Sequence, residues 1–310
     1  MIRDSGKAGL HPRNLFKGGY DFEALRAVTP RLAPFVGPNA YGDLSIDYAN
    51  PHAVKALNQA LLAHAYGLDR WDIPPGYLCP PVPGRSDYLH YLADLLAAGD
   101  ASTIPRGASV RVLDIGTGAN CIYPLVGARE YGWSFVGTEI DPMALRWARK
   151  NIAAHPTVAD LIEGRAQRSP SDSLFGVMSE GERFDLTMCN PPFHASAADA
   201  AAGTRRKQRN LSGRRTSAVA LNFGGQAREL WCPGGELAFV RRMIKQSAAL
   251  PERCRWFTTL VSKSAHLPLL QRSLREVQAT EVKIIDMAQG QKKSRILAWT
   301  FIEPDTHRAG

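Results

Sequence analysis

The chain has 310 residues and a hydrophobic content of 45%, enough to bury one sizeable core and a smaller appendage. Its five cysteines are scattered and lack paired metal-ligand spacing, which argues against a disulfide framework and a zinc site, so we expect no bound metal. Because no apolar run approaches the length of a membrane span or a signal core, we expect a cytoplasmic protein. Its net charge is +9 at pH 7.

Capping residues and apolar spacing predict two helices in the N-terminal third. They run from Pro51 to about Gly67 and, after a Ser86-Asp87 cap, from Tyr88 to Ala98. The segment between them, Ile73 to Gly84, is rich in proline and is expected to wrap over the core as an irregular linker. We therefore expect an N-terminal extension over residues 1–84, followed by a main domain over 85–310.

A strand that runs into a glycine-rich turn follows, from Val110 to Asn120. Gly116 and Gly118 would let a ligand approach the backbone closely, although the turn lacks the further glycine of the G-x-G-x-x-G dinucleotide fingerprint. The next strand, Ser134 to Thr138, ends at Glu139, where a doubly wound sheet holds ribose hydroxyls. These features favour S-adenosylmethionine, which has a ribose and an adenine but no pyrophosphate that needs a helix N-terminus.

Helices and strands then alternate towards the C-terminus. The predicted elements are a helix from Pro142 to Ala154, strands from Asp160 to Glu163 and from Phe184 to Cys189, a helix that follows Pro233-Gly234-Gly235 and runs through Ser247, a strand from Arg255 to Ser262, a helix from Leu267 to Val277, and strands from Glu281 to Met287 and from Ile296 to Ile302. This order predicts an open α/β sheet with one reversed edge strand.

The tetrapeptide Asn190-Pro191-Pro192-Phe193 comes directly after a predicted buried strand. The side-chain carbonyl of Asn190 and the main-chain carbonyl of Pro191 could each accept one N–H of a planar amine such as adenine N6, which favours its nucleophilic form. The two prolines remove backbone donors, so the carbonyls stay unpaired, and Phe193 offers a face for stacking an extruded base. No general base is needed, and His194 is expected to be a loop residue. A plain turn is the alternative for an isolated Asn-Pro-Pro.

A short stretch beside this tetrapeptide carries six cations and no acidic residue. It follows an Ala/Ser/Gly-rich tract, so we expect a flexible basic loop over 195–216 that neutralises phosphates; a solvated loop is the alternative. Lys292 and Lys293, in a predicted hairpin turn, would extend this surface. The six cations are Arg205, Arg206, Lys207, Arg209, Arg214 and Arg215.

Longer motifs resemble the bacterial ribosomal-RNA large-subunit methyltransferase F family, adenine-N6 methyltransferases of 23S rRNA with eukaryotic relatives that act on U6 snRNA. The likeness runs from about His11 to Ile302. It implies a Rossmann-like class I methyltransferase sheet of seven strands, with one antiparallel edge strand and a small N-terminal helical extension. It also implies that the product is a single N6-methyladenosine. We expect the enzyme to be a monomer. The motifs are His11 to Asn14, Tyr20 to Phe22, Val82 to Arg85, Asp114 to Gly118, Cys189 to Phe193, Leu221 to Gly225, Trp231 to Glu236, Met287 to Gln291 and Ala298 to Thr300.

The resemblance also implies roles for individual residues. Arg85 would meet the methionine carboxylate of the cofactor, Glu139 would hold its ribose, and residues 190–193 would form the catalytic clamp. One family contact falls in Arg165 to Ser171 and is left unassigned. The remaining residues are Asp114, Gly116, Gly118, Asn120 and Asn190 for the cofactor, and Arg13, Lys17 and Lys55 for RNA.

Two other functions are consistent with parts of this pattern. A protein-glutamine methyltransferase also uses Asn-Pro-Pro followed by an aromatic residue, but that residue is usually Tyr, and such an enzyme has little use for a basic loop. A non-catalytic RNA-binding module on the same scaffold should have a damaged turn or clamp, and neither is visible in the sequence.

Overall fold

The computed structural model describes residues 9–97, 104–194, 196, 230–289 and 292–303. The strands are β1 (Val36–Pro38), β2 (Leu44–Ile46), β3 (Arg111–Ile115), β4 (Ser134–Glu139), β5 (Ile162–Ala166), β6 (Phe184–Cys189), β7 (Cys254–Val261), β8 (Glu281–Gln289) and β9 (Lys292–Thr300). The α-helices are α1 (Phe22–Val28), α2 (Pro51–Tyr66), α3 (Val82–Leu96), α4 (Ile122–Tyr131), α5 (Pro142–Ala153), α6 (Pro156–Ala159), α7 (Gly235–Ala248) and α8 (Leu267–Glu276).

Strands β3 to β9 form one seven-stranded sheet in the order β5-β4-β3-β6-β7-β9-β8, which confirms the predicted α/β architecture. The ladders from β5 to β7 are parallel, and β9 pairs antiparallel with both β7 and β8. The reversed strand therefore belongs to the edge pair, with β8 outermost. The chain changes direction across the sheet at β3, which lies between β4 and β6, and such a point opens a crevice at the carboxyl ends of the strands.

The sheet buries both faces, and successive residues of a strand alternate between two cores. Val112 and Phe135 pack with the N-terminal helices, while Leu113 and Val136 pack with α7 and α8. Trp299, which is fully buried, belongs to the second core. Within its described residues, the extension does not have a core of its own, because its buried hydrophobic residues other than Tyr77 pack in the same cluster as one face of the sheet.

Helix α3 begins at Val82, so the prediction that it begins at Tyr88 is wrong. Pro83 fits in the first turn of the helix because a backbone N–H at that position would have no acceptor within the helix. Ser86, predicted to cap the helix with Asp87, instead donates to carbonyls of its own first turn. The Asp87 carboxylate accepts from His11 N and from Asn14 Nδ2, which ties the N-terminal segment to the helix.

The hairpin of β8 and β9 is longer than predicted. Lys292 pairs with Gln289 and Lys293 with Ala288, so both lysines lie in the strand ladder, and their assignment to a turn is wrong. Within the described residues, helices that are long and apolar enough to cross a membrane are absent.

Candidate functional site

A cavity of about 1080 Å³ opens at the carboxyl ends of β3 to β6. Among the residues that line it are most of those singled out from the sequence: Arg85, Gly116, Gly118, Asn120, Glu139, Asn190 and Pro192. Pro191 is buried beside the cavity without lining it, and Phe193 is partly buried and does not line it. The fold thus brings residues more than 100 positions apart in the chain to one hollow.

The glycine turn after β3 forms the floor of the cavity. Gly116 has φ of +74°, and a Cβ built there would meet nothing within 4 Å, so its backbone faces open space. The amides of Gly116 and Thr117 donate to Thr138 O at the end of β4. Asn120 also lines the cavity, but its Oδ1 accepts from Ile122 N at the start of α4 and is already engaged within the protein.

Glu139 presents a carboxylate that the backbone holds in place. Its Oε2 accepts from Gly118 N at 2.9 Å, and its Oε1 accepts from Ile140 N and Asp141 N at 2.8 and 2.9 Å. Burial raises the pKa of the carboxyl, and the three amides oppose that rise. The group is therefore oriented before a ligand arrives, and Oε2, which accepts only one amide, keeps a lone pair for a hydroxyl.

Asp114 lies beneath the floor, 1% exposed, as the penultimate residue of β3 before the glycines. Neither carboxylate oxygen has a hydrogen-bond partner in the described part of the chain. Burial raises the pKa of this carboxyl to about 7; Glu139 adds to the rise, while the nearby Thr117 hydroxyl and the Arg85 charge oppose it. An orphaned buried carboxylate beside a cavity marks a place where a ligand or proton is expected.

Arg85 and Asn190 face each other across the cavity wall. The orientation of the Asn190 amide that satisfies both of its polar atoms directs Oδ1 at the guanidinium, 3.2 Å from both Nη1 and Nη2. Arg85 Nη1 also donates to the Tyr123 hydroxyl at 2.7 Å. Arg85 Nε is buried and has no partner among the described residues.

A second wall was not assigned from the sequence. Residues 231–233 line the cavity because His194 and Trp231 form a parallel bridge, with His194 N donating to Leu230 O and Cys232 N donating to His194 O. The only signal for this wall was the Trp231 to Glu236 motif of the family resemblance. The segment left unassigned in the sequence also contributes, through Gln167, Arg168 and Ser169.

Arginines surround the mouth of the cavity. Arg146, Arg149, Arg168 and Arg242 line it, and none of them forms an ion pair with a carboxylate in the described ranges. Arg149 donates to the main-chain carbonyl of Gly164. None of these four arginines was predicted from the sequence to bind RNA. Their position around the cavity is seen only in the structure.

The cations predicted to bind RNA divide into three groups. Arg13 and Lys55 are engaged within the fold, by Asp94 and by Asp72, so their donors are committed to structural contacts. Lys17 is exposed. The side chains of Lys292 and Lys293 lie outside the described part of the chain, as do all six cations of the basic loop: Arg205, Arg206, Lys207, Arg209, Arg214 and Arg215. Among the described residues, groups of three His, Cys, Asp or Glu that could hold a metal are absent.

Comparisons with known proteins agree with this geometry. A family model described as RNA methyltransferase matches residues 4–303. The chain is 53% identical over 304 residues to ribosomal RNA large subunit methyltransferase F of Yersinia enterocolitica, covering 98% of this chain and 91% of that protein. It is 57% identical over 319 residues to the protein of the same name from Methylobacillus flagellatus, covering 98% and 95%.

Solved structures of similar fold come from human METTL16. The catalytic domain in complex with MAT2A 3′UTR hairpin 1 matches with a TM-score of 0.79 and 35% identity, covering 95% of this chain and 96% of that one. The N-terminal domain in complex with SAH matches with a TM-score of 0.74 and 32% identity, covering 95% and 99%.

Proposed function

Because the chain belongs to the RNA methyltransferase family, we propose that it transfers a methyl group from S-adenosylmethionine to N6 of one adenine in 23S ribosomal RNA. Membership of the family makes it an S-adenosylmethionine-dependent enzyme that acts on RNA. The choice of N6 is supported by one observation: Asn190, followed by two prolines, lines the same cavity as Gly116 and Glu139.

The residues of the cavity fit the cofactor. The Glu139 carboxylate suits a ribose hydroxyl, the open backbone at Gly116 suits the close approach of a ligand, and the charge of Arg85, which lines the cavity, suits a carboxylate. The chemistry that S-adenosylmethionine supplies is an electrophilic methyl group on a positively charged sulfur. The protein's task is therefore to bring an amine to that position in the right direction.

Asn190 and Pro191 would perform this task. Each would offer a carbonyl oxygen to one N–H of the exocyclic amine; Asn190 Oδ1 accepts from both Arg85 Nη atoms in this structure, so the amine would replace one of these two donors. Pro191 and Pro192 lack backbone N–H groups, so neither competes with the amine for those oxygens. The surrounding walls would exclude water, which strengthens these polar contacts. Phe193, just outside the cavity, would stack on the base as it enters.

Ribosomal RNA is proposed as the substrate because the similar bacterial proteins carry that name. The rim arginines would hold phosphates that flank the extruded adenine, together with the basic loop predicted from the sequence. We propose that the enzyme acts as a monomer without a metal, in the cytosol, on free or partly assembled RNA. A protein-glutamine substrate and a non-catalytic role are both disfavoured by membership of an RNA methyltransferase family.

Nucleoside analysis tests the proposal directly. Unmodified 23S rRNA would be incubated with the protein and methyl-labelled S-adenosylmethionine, then digested to nucleosides. We expect all of the label in N6-methyladenosine, at one site per molecule. RNA taken from cells that carry the enzyme should accept almost no label. Label in another nucleoside would refute N6 as the target atom, and label only in a glutamine-containing peptide would refute RNA as the substrate.

A further inference from the structure

Two side chains of helix α3 contact the chain at Cys189 and Asn190. Arg85 and Tyr88 are three residues apart, so they lie on the same face of the helix. Arg85 reaches the Asn190 side chain, and the Tyr88 hydroxyl accepts the N–H of Cys189, the residue before it, at 3.4 Å. One helix thus contacts both the amide group of Asn190 and the backbone that carries it.

The Tyr88 hydroxyl is anchored to the sheet. It shares a hydrogen bond of 2.7 Å with Thr258 Oγ1, and Thr258 is joined in turn to Thr187 through three hydrogen bonds of 2.6, 2.8 and 3.4 Å. Tyr88 is fully buried, and its ring meets that of Tyr123 edge to face, with centroids 5.6 Å apart. Tyr123 is consequently held by a rigid neighbour.

The hydroxyl of Tyr123 is hydrogen-bonded to Arg85. Arg85 Nη1 donates to that oxygen at 2.7 Å, and the side chain of Tyr123 is 5% exposed. A competing partner for the guanidinium is close: the buried carboxylate of Asp114 lacks a hydrogen-bond partner in the described part of the chain, and the Arg85 charge lowers its pKa. Without the Tyr123 hydroxyl, Arg85 would be drawn towards Asp114 and away from Asn190.

We propose that Tyr123 is a positioning residue: its hydroxyl holds the Arg85 guanidinium, which in turn sets the direction in which Asn190 presents Oδ1. This rests on the proposed function in so far as Asn190 receives the target amine. The ring of Tyr123 alone would satisfy the packing against Tyr88, since an edge-to-face contact does not need the hydroxyl. The hydroxyl is therefore the atom to test.

The test is Tyr123→Phe, measured by total label transfer to RNA at saturating S-adenosylmethionine. We expect kcat to fall about tenfold or more, with KM for RNA within about twofold, because a displaced reacting group costs rate more than binding. In an Arg85→Lys background the same substitution should cause no further fall, since two residues that act as a unit are not additive. Tyr131→Phe is the matched control, a buried tyrosine at the other end of α4 whose hydroxyl bonds to His90.

The control should lose stability but keep wild-type kcat. Thermal melts would set an assay temperature at which every variant is folded. The proposal is overturned if Tyr123→Phe keeps kcat within twofold, if Tyr131→Phe loses as much, if the two losses add in the double variant, or if Tyr123→Phe cannot fold at all. Total label counts methyl transfer to any RNA atom, so this result is independent of whether the product is N6-methyladenosine.

Discussion

At the scale of single residues, Asn190 has the most demanding position. Its Oδ1 faces Arg85 and the cavity, while the residues on either side, Cys189 and Pro191, are buried and hold the backbone. An alanine at this position keeps the loop geometry, because the following prolines still restrict φ. The side chain can therefore be removed without disturbing the floor of the cavity.

Asn190→Ala is expected to lower methyl transfer by at least about a hundredfold, since it removes one positioned acceptor for the amine. Binding of S-adenosylmethionine, measured by calorimetry, should change by less than about threefold, because Glu139 and the glycine turn are untouched. Turnover close to that of the wild-type protein would show that the amide does not hold the amine.

Asp114 should make stability depend on pH. Its pKa is raised to about 7 in the folded protein, because the buried carboxyl is more stable when it is protonated. The stability that this group contributes is therefore fully present below its unfolded pKa near 4 and is lost as the pH rises through 7. Asp114→Asn removes this contribution. Urea unfolding of the cofactor-free protein should therefore show the variant gaining about 2 kcal/mol relative to wild type between pH 5 and pH 8.

The exposed Asp43 gives the matched control for that measurement. Asp43→Asn and wild type should keep a constant difference in unfolding free energy over the same pH range. If Asp114→Asn also kept a constant difference, the carboxyl would be titrating at the same pH in both the folded and the unfolded protein.

At the scale of elements, α4 packs so closely on β4 that a glycine is required between them. A Cβ added at Gly127 would stand 2.8 Å from Phe135 Cε2 and 3.1 Å from Leu89 Cδ2. The requirement is one of space, since α4 continues through this position as a regular helix. The same helix carries Tyr123 at its first turn, so the depth of its packing sets the position of the Tyr123 hydroxyl.

Gly127→Ala is expected to destabilise the protein by about 1 to 2 kcal/mol, because an overpacking cost of about 2 to 3 kcal/mol exceeds the gain of about 1 kcal/mol from helix propensity. Chemical denaturation measures the change. Gly18→Ala is the control, since a Cβ there meets nothing within 4 Å, and it should be close to neutral. Equal stability of Gly127→Ala and wild type would mean that α4 can move away from the sheet without cost.

At the scale of the whole molecule, part of the chain's positive charge, which totals a net +9, is carried by the arginines that line the cavity rim. Several other cations pair with carboxylates, as Arg111 and Arg165 do with Glu182, and so contribute little to a long-range field. The part of the positive charge that lies beside the cavity would attract the RNA backbone towards the hollow that receives the base.

Replacing all six cations of residues 205–215 with serine should flatten the dependence of RNA affinity on salt. For single-stranded RNA, the slope of log K against log salt should become less steep by about 0.7 for each phosphate that the loop no longer neutralises. Filter binding at several salt concentrations measures the slope. Replacing Arg255 and Arg275, which are exposed and do not line the cavity, should leave the slope unchanged. An unchanged slope in the loop variant would remove the loop from the binding surface.

The local features of this fold could be read from the sequence. The Asn50 cap and the Gly67 stop bound α2, and the alternation of strands and helices predicted the sheet, because capping and periodicity depend on neighbouring residues only. The glycine turn, Glu139 and Asn190 could be identified for a related reason: each ends or follows a strand, and the carboxyl ends of parallel strands meet at one edge.

Only the tertiary structure decided which groups meet across long stretches of chain. The start of α3 at Val82, the engagement of Arg13 by Asp94 and the wall formed by Trp231 depend on contacts between segments with no regular spacing. The same holds for the path from Tyr123 through Arg85 to Asn190, since each contact is created by the packing of α3 and α4 against the sheet. The sequence determined what chemistry is present, and packing determined which atoms face one another.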